Sequence, residues 1–203
     1  MWKRLNNALL CLLVLLLAGC AGSNIKRAET LQLGLPEVEQ KVLVISPEAR
    51  AQYSAAVALL RDDKSYEARN ALQQLLKISE VPGAYLNLAL LDYHEGFYSS
   101  ARHRLDKALE LMPRNAAAYN LSGTLYRQEG EFKKAWEAYA LALQADENYA
   151  PAHLNLAILF DIYLQYWLDA RNHYQRYLDL HGEDPQVNLW LQDLERRIKR
   201  AGG

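Results

Sequence analysis

Beyond residue 46 the apolar positions follow a helical rhythm, and that rhythm itself recurs every 34 residues. Tyr85 aligns with Tyr119 and His153, Leu88 with Ser122 and Leu156, Ala89 with Gly123 and Ala157, and Gly96 with Gly130. Half a unit later Ala101 matches Ala135, Leu105 matches Tyr139 and Ala108 matches Ala142. The next copy continues as Ala170, Tyr174 and Tyr177 after one inserted residue. A weaker upstream copy carries Ala55, Ala56, Tyr66, Ala68, Leu72 and Leu75. In each unit one small residue per helix (Ala56, Ala89, Gly123, Ala157; then Ala68, Ala101, Ala135, Ala170) lets two backbones approach closely. Larger side chains at Tyr85, Tyr119, Tyr126, Phe160, Leu105, Tyr139 and Tyr174 fill the space that remains.

Chain punctuation agrees with this period. Gly96 and Gly130 fall where a helix must end with positive φ, and all six prolines lie in linkers or at helix ends. Ser46-Pro47 and Asp184-Pro185 each place an N-cap residue before a first-turn proline. The last helix, 185–199, sets Val187, Trp190, Leu191, Leu194 and Ile198 on one face, and Gln186, Asn188, Gln192, Asp193, Glu195, Arg196 and Lys199 on the other. Nine helices and no strand of consequence are predicted. The pattern resembles the tetratricopeptide repeat (TPR). That resemblance implies an all-α helix-turn-helix solenoid of about four units, 49–81, 82–115, 116–149 and 150–184, closed by the 185–199 helix within a domain spanning 46–203.

Two positions depart from the family pattern. Asp92 stands where a packing aromatic is expected, and a buried carboxylate there needs a partner; it either faces solvent or pairs with Arg102 or Arg104. The last unit has no turn glycine and reads Tyr163-Leu164-Gln165-Tyr166-Trp167. Tyr163, Tyr166 and Trp167 could form a second docking patch, or Trp167 could fold back onto the terminal helix.

The N-terminus has a different character. Lys3 and Arg4 precede an apolar stretch over 8–18, too short for a bilayer-spanning helix and suited to a secretory signal. It closes on Leu17-Ala18-Gly19-Cys20, which resembles the bacterial lipobox. The resemblance implies removal of 1–19 and a diacylglyceryl and N-acyl lipid on Cys20, with no other cofactor. Ala21, rather than Asp, follows that cysteine, and by the same resemblance favours the periplasmic face of the outer membrane. Residues 20–45 read as a flexible tether, with 41–46 either an extended segment laid on the domain or plain linker.

Composition excludes several classes of function. Lys plus Arg number 23 against 24 Asp plus Glu, and losing Lys3 and Arg4 with the signal moves the net charge from −1 to −3, so nucleic acid has no basic footprint to bind. The two cysteines, Cys11 and Cys20, provide no disulfide framework for the repeats. The chain contains no GxxxxGK[ST], GxGxxG, HExxH, CxxC or GxSxG motif, so no catalytic residue, enzyme activity or small-molecule substrate is assigned. His94, His103, His153, His173 and His181 lack ligand spacing within a helix and read as packing or surface residues, with no metal site. Asp62-Asp63 reads as a turn, and the Arg102/Arg104 and Arg196 to Arg200 clusters as solvated faces.

In the repeat family the first helices of the units line a concave groove. Carried over, the lining of the first unit is Tyr53, Val57 and Arg61, and that of the second is Leu86, Leu90, Tyr93 and His94. The third unit contributes Asn120, Thr124, Arg127 and Gln128, and the fourth Leu154, Ile158, Asp161 and Ile162. The apolar members could equally bury against neighbouring units. A polar centre between apolar flanks suits an extended or helical segment of another protein. The chain is thus similar to small pilotin-type TPR lipoproteins. The function this implies is a tethered adaptor for an envelope machine: a type IV pilus, secretion or TonB-type transport system. A periplasmic holdase, or a scaffold for peptidoglycan or outer-membrane biogenesis enzymes, is the alternative, and the chain's two methionines disfavour a holdase groove.

Overall fold

In the computed structural model the described residues are 25–29, 31 and 43–202, and Cys20 and the signal stretch lie outside them. Among the described residues there are nine α-helices and no strand: α1 Pro47–Arg61, α2 Ser65–Leu75, α3 Pro82–His94, α4 Tyr98–Leu111, α5 Ala116–Gln128, α6 Phe132–Ala145, α7 Ala150–Ile158, α8 Trp167–His181 and α9 Pro185–Arg200. None is long and apolar enough to cross a membrane. Helices pair as α1/α2, α3/α4, α5/α6 and α7/α8. The first helices α3, α5 and α7 also touch in succession, and α9 packs on α8. The result is a solenoid of four helical hairpins with a terminal helix.

The small positions behave as the spacing requires. Ala56, Ala68, Ala89, Ala101, Ala135, Ala157 and Ala170 are completely buried, and a Cβ on Gly123 would lie 2.5 Å from the Tyr139 ring. Helix starts follow local chemistry: the side chains of Ser46, Asn115 and Asp184 accept hydrogen bonds from first-turn amides of α1, α5 and α9. Gly96 and Gly130 take φ of 81° and 80° at the turns, and Asp63 takes 57° after Asp62. The last hairpin is built differently. Leu159–Leu164 is a π-helical continuation of α7, and Gln165 then takes the left-handed conformation at φ 58°. A wider turn absorbs the inserted residue without a glycine, and the Tyr166 amide closes it by donating to the Phe160 carbonyl at 2.9 Å.

On α9, Val187, Leu191, Leu194 and Ile198 are buried, whereas Trp190 remains 37% exposed at the edge of the stripe rather than within it. Residues 43–46 form neither helix nor strand, with Ile45 packed on the α1 cluster; Lys41 and Val42 lie outside the described residues.

Asp92 is 2% exposed and faces neither solvent nor Arg102. Its carboxylate accepts from Arg69 of α2 at 2.5 Å, and from Ser100 at 2.5 Å and Arg104 at 2.6 Å on α4. Burial alone would raise this carboxyl, but the hydrogen bonds from Ser100, Arg69 and Arg104 outweigh it and hold the group below its ordinary value. Arg102 pairs instead with Glu129 of the next unit, its guanidinium 4.8 Å from the Tyr126 ring centre.

Candidate interaction groove

The groove surface is built by α1, α3, α5 and α7. At its first end the Tyr53 hydroxyl accepts from Asn87 at 3.1 Å. This contact needs Gly83, because a Cβ there would sit 2.3 Å from that hydroxyl. Arg61 and His94 are exposed, Val57 and Leu86 are half-buried, and Leu90 is 41% exposed. Tyr93 packs edge-on to His94 with ring centres 5.6 Å apart. At the centre Asn155 donates to Asn120 at 2.9 Å, and Thr124 donates to the Asn120 carbonyl at 3.1 Å. The third unit adds the half-buried Arg127 and exposed Gln128.

At the other end the carried-over register needs correction. Asp161 is buried and ion-paired to Arg197 at 2.7 Å, because α9 crosses over this position; it meets the groove as half of an ion pair rather than as a free carboxylate. Leu154 and Ile158 are half-buried against the C-terminal cluster, and Ile162 is 64% exposed. Trp190, Asp193 and Arg197 join Ile158, Asp161, Ile162 and Tyr174 around a pocket of about 310 Å³. No sequence signal placed α9 at the groove, since a terminal helix read as a cap carries no register relative to the first helices.

The three turn residues Tyr163, Tyr166 and Trp167 pack against different neighbours. Trp167 lies under the Arg197 guanidinium, 5.8 Å from its ring centre, and so packs against the terminal helix. Tyr166 packs edge-on to the Trp136 ring and tilted against the Phe160 ring. Tyr163 is exposed, beside Phe132 at 4.7 Å.

Tertiary packing also pairs two histidines that sequence spacing left apart. His153 and His173 face each other with Nδ1 to Nδ1 at 2.9 Å, and His153 Nε2 is 3.0 Å from the Glu147 carbonyl. That carbonyl can only accept, so His153 carries its proton on Nε2 and His173 donates from Nδ1. Burial is the main cause that lowers both, and the neighbouring His153 adds to it at His173, which is pushed down to about 4. A buried neutral histidine costs stability only where the unfolded chain can protonate. Stability is therefore level above pH 6.5 and falls between 6.5 and 4 as the unfolded state binds the extra proton. Unfolding free energies from urea titrations at pH 7 and pH 4.5 are expected to differ by on the order of 2–3 kcal/mol, and His173→Leu should remove most of that difference.

Among the described residues no cluster of three or more His, Cys, Asp or Glu could hold a metal ion.

No protein-family model matches the chain. Solved structures do resemble it. Pseudomonas aeruginosa PilF superposes with a TM-score of 0.67 and 23% identity over 75% of this chain and 70% of that one. MamA from residue 41 onward, of Desulfovibrio magneticus RS-1, gives 0.61 and 20% over 78% and 91%. The first TPR domain of Spaghetti (RPAP3), solved with the HSP90 peptide SRMEEVD, gives 0.54 and 18% over 58% and 93%. These likenesses establish the fold: a tetratricopeptide-type solenoid.

Proposed function

We propose that this chain is a protein-binding adaptor, tethered through lipidated Cys20 to the periplasmic face of the outer membrane. Its groove holds a segment of one component of an envelope machine such as a type IV pilus, secretion or TonB-type transport system. The observation that carries the reading is the groove itself, where Leu90, Ile162 and Trp190 present exposed apolar surface around the polar Asn120 and Arg127. Aromatic and aliphatic anchors would seat on the former, and the Arg127 guanidinium would pair a partner carboxylate. The lipobox-like Leu17-Ala18-Gly19-Cys20 supports the tether, and the PilF likeness in fold is compatible with a pilus setting.

The test is a crosslinking pull-down from membranes with the native chain, with Arg127→Glu/Ile162→Asp and with Cys20→Ala. A single partner set should be recovered with the native chain, weakened about 10- to 100-fold by the groove pair and retained in soluble extract by Cys20→Ala. A diverse catch, or one indifferent to the groove pair, would refute the adaptor.

A further inference from the structure

The chain assigned to the tether does not simply lead away from the repeats. Ile25 and Ala28 pack against the C-terminal core cluster, and the Ala28 amide donates to the Asp169 carboxylate in the first turn of α8 at 2.8 Å. Ala28, Glu29 and Leu31 share a furrow of about 390 Å³ with Trp136 and Leu143 of α6, Phe160, and His173 of α8. This furrow lies behind the groove. Leu156 and Phe160 face it, each two residues along the helix from Ile158 and Ile162, which line the groove pocket on the other side.

We propose that residues 25–29 and 31 form a clip that seats the anchor-proximal chain on the back of the last two hairpins and turns the concave groove away from the bilayer. The proposal rests on the lipid-anchor reading of Cys20. Ile25 is five residue steps from Cys20, so the backbone can span at most about 18 Å between them. A single helix, α7 with its π-helical continuation, about 10 Å across, stands between the furrow and the groove, so the seated segment lies on the side of that helix opposite the groove. An unseated tether of the full length to α1 would let the domain tumble with either face toward the lipid. With the clip seated, the short lead from Cys20 starts at the back of α6 and α8, which makes that face the one nearest the headgroups. The occupant's chemistry fits the seat: Ile25 and Ala28 meet apolar surface, the Asp169 carboxylate takes an amide that an extended segment leaves unpaired, and Lys26 and Arg27 remain outside in solvent.

Two measurements test this. In soluble Cys20→Ser protein, trypsin cuts after Lys26 and Arg27 only when the segment leaves its seat. Cleavage there should quicken about tenfold or more in Ile25→Asp, which lies outside the repeats and cannot unfold them, and in Asp169→Ala. Equal rates in all three proteins would overturn the clip. For orientation, acylated protein on phospholipid vesicles with gadolinium-chelating headgroups carries a spin label at Arg171→Cys, on α8, or at Ile162→Cys, in the groove. Relaxation should be stronger at 171 than at 162, and Ile25→Asp should equalise the two. Equal relaxation without that substitution, or the reverse order, would overturn the orientation. Mass spectrometry that finds no acyl chain on Cys20 would refute the anchor reading and the orientation together, while the cleavage rates still decide whether the segment is seated.

Discussion

Asp92→Ala lowers the unfolding free energy by about 3 kcal/mol, because it removes the carboxylate around which two partly buried guanidinium groups are drawn together, leaving Arg104 without it and Arg69 with only the more exposed Glu95 at 2.9 Å. Arg69 comes from the first hairpin and Arg104 from the second, so the damage falls on the junction between them. In a solenoid whose units touch mainly their neighbours, losing one junction uncouples what lies beyond it. Urea unfolding followed by circular dichroism should show an early transition for α1 and α2, separate from the main one. Replacing the cluster with apolar residues, as Arg69→Met/Asp92→Leu/Arg104→Met, should restore a single transition; if it does not, the cluster does more than fill its space. The pH signature also differs from that of the histidine pair. A carboxyl held below its ordinary value adds stability above the unfolded value, near 3.8, and loses it only as pH falls through the lower native one.

Gly123→Val is expected to cost about 3 kcal/mol. The Tyr139 ring is wholly buried against the α5 backbone, with two ring carbons 2.5 and 2.6 Å from where a Cβ would sit. The ring cannot swing away without losing its place in the core, and its hydroxyl reaches Thr124 at 3.4 Å. The second unit solves the same packing problem with Ala89 and Leu105 in one cluster. Gly123→Val/Tyr139→Leu should therefore recover more than half the loss in thermal melts, whereas independent effects would add.

The architecture was legible because it is written in a period: small residues at fixed offsets, prolines at helix starts and glycines at turns. It became harder to read where contacts depend on how whole helices cross. Asp161 occupies a lining register, but an arginine 36 residues later covers it once α9 crosses the last hairpin. His153 and His173 belong to different helices, and their meeting depends on the depth at which α7 and α8 pack. Asp92 stood out as a departure with Arg104 among its candidate partners, yet Arg69 was hidden because it belongs to the preceding, weakest copy of the repeat. The inserted residue was visible, but its accommodation as a π-helical turn was not, since insertion alone does not choose between a longer loop and a wider helix.

The contact between Ala28 and Asp169 joins residues 141 apart in sequence. Closing a loop of that length in an unfolded chain costs about 4 kcal/mol, more than one hydrogen bond and two half-buried side chains offset. The hairpins close over short separations and fold first, so the tail can settle only after α6 and α8 stand.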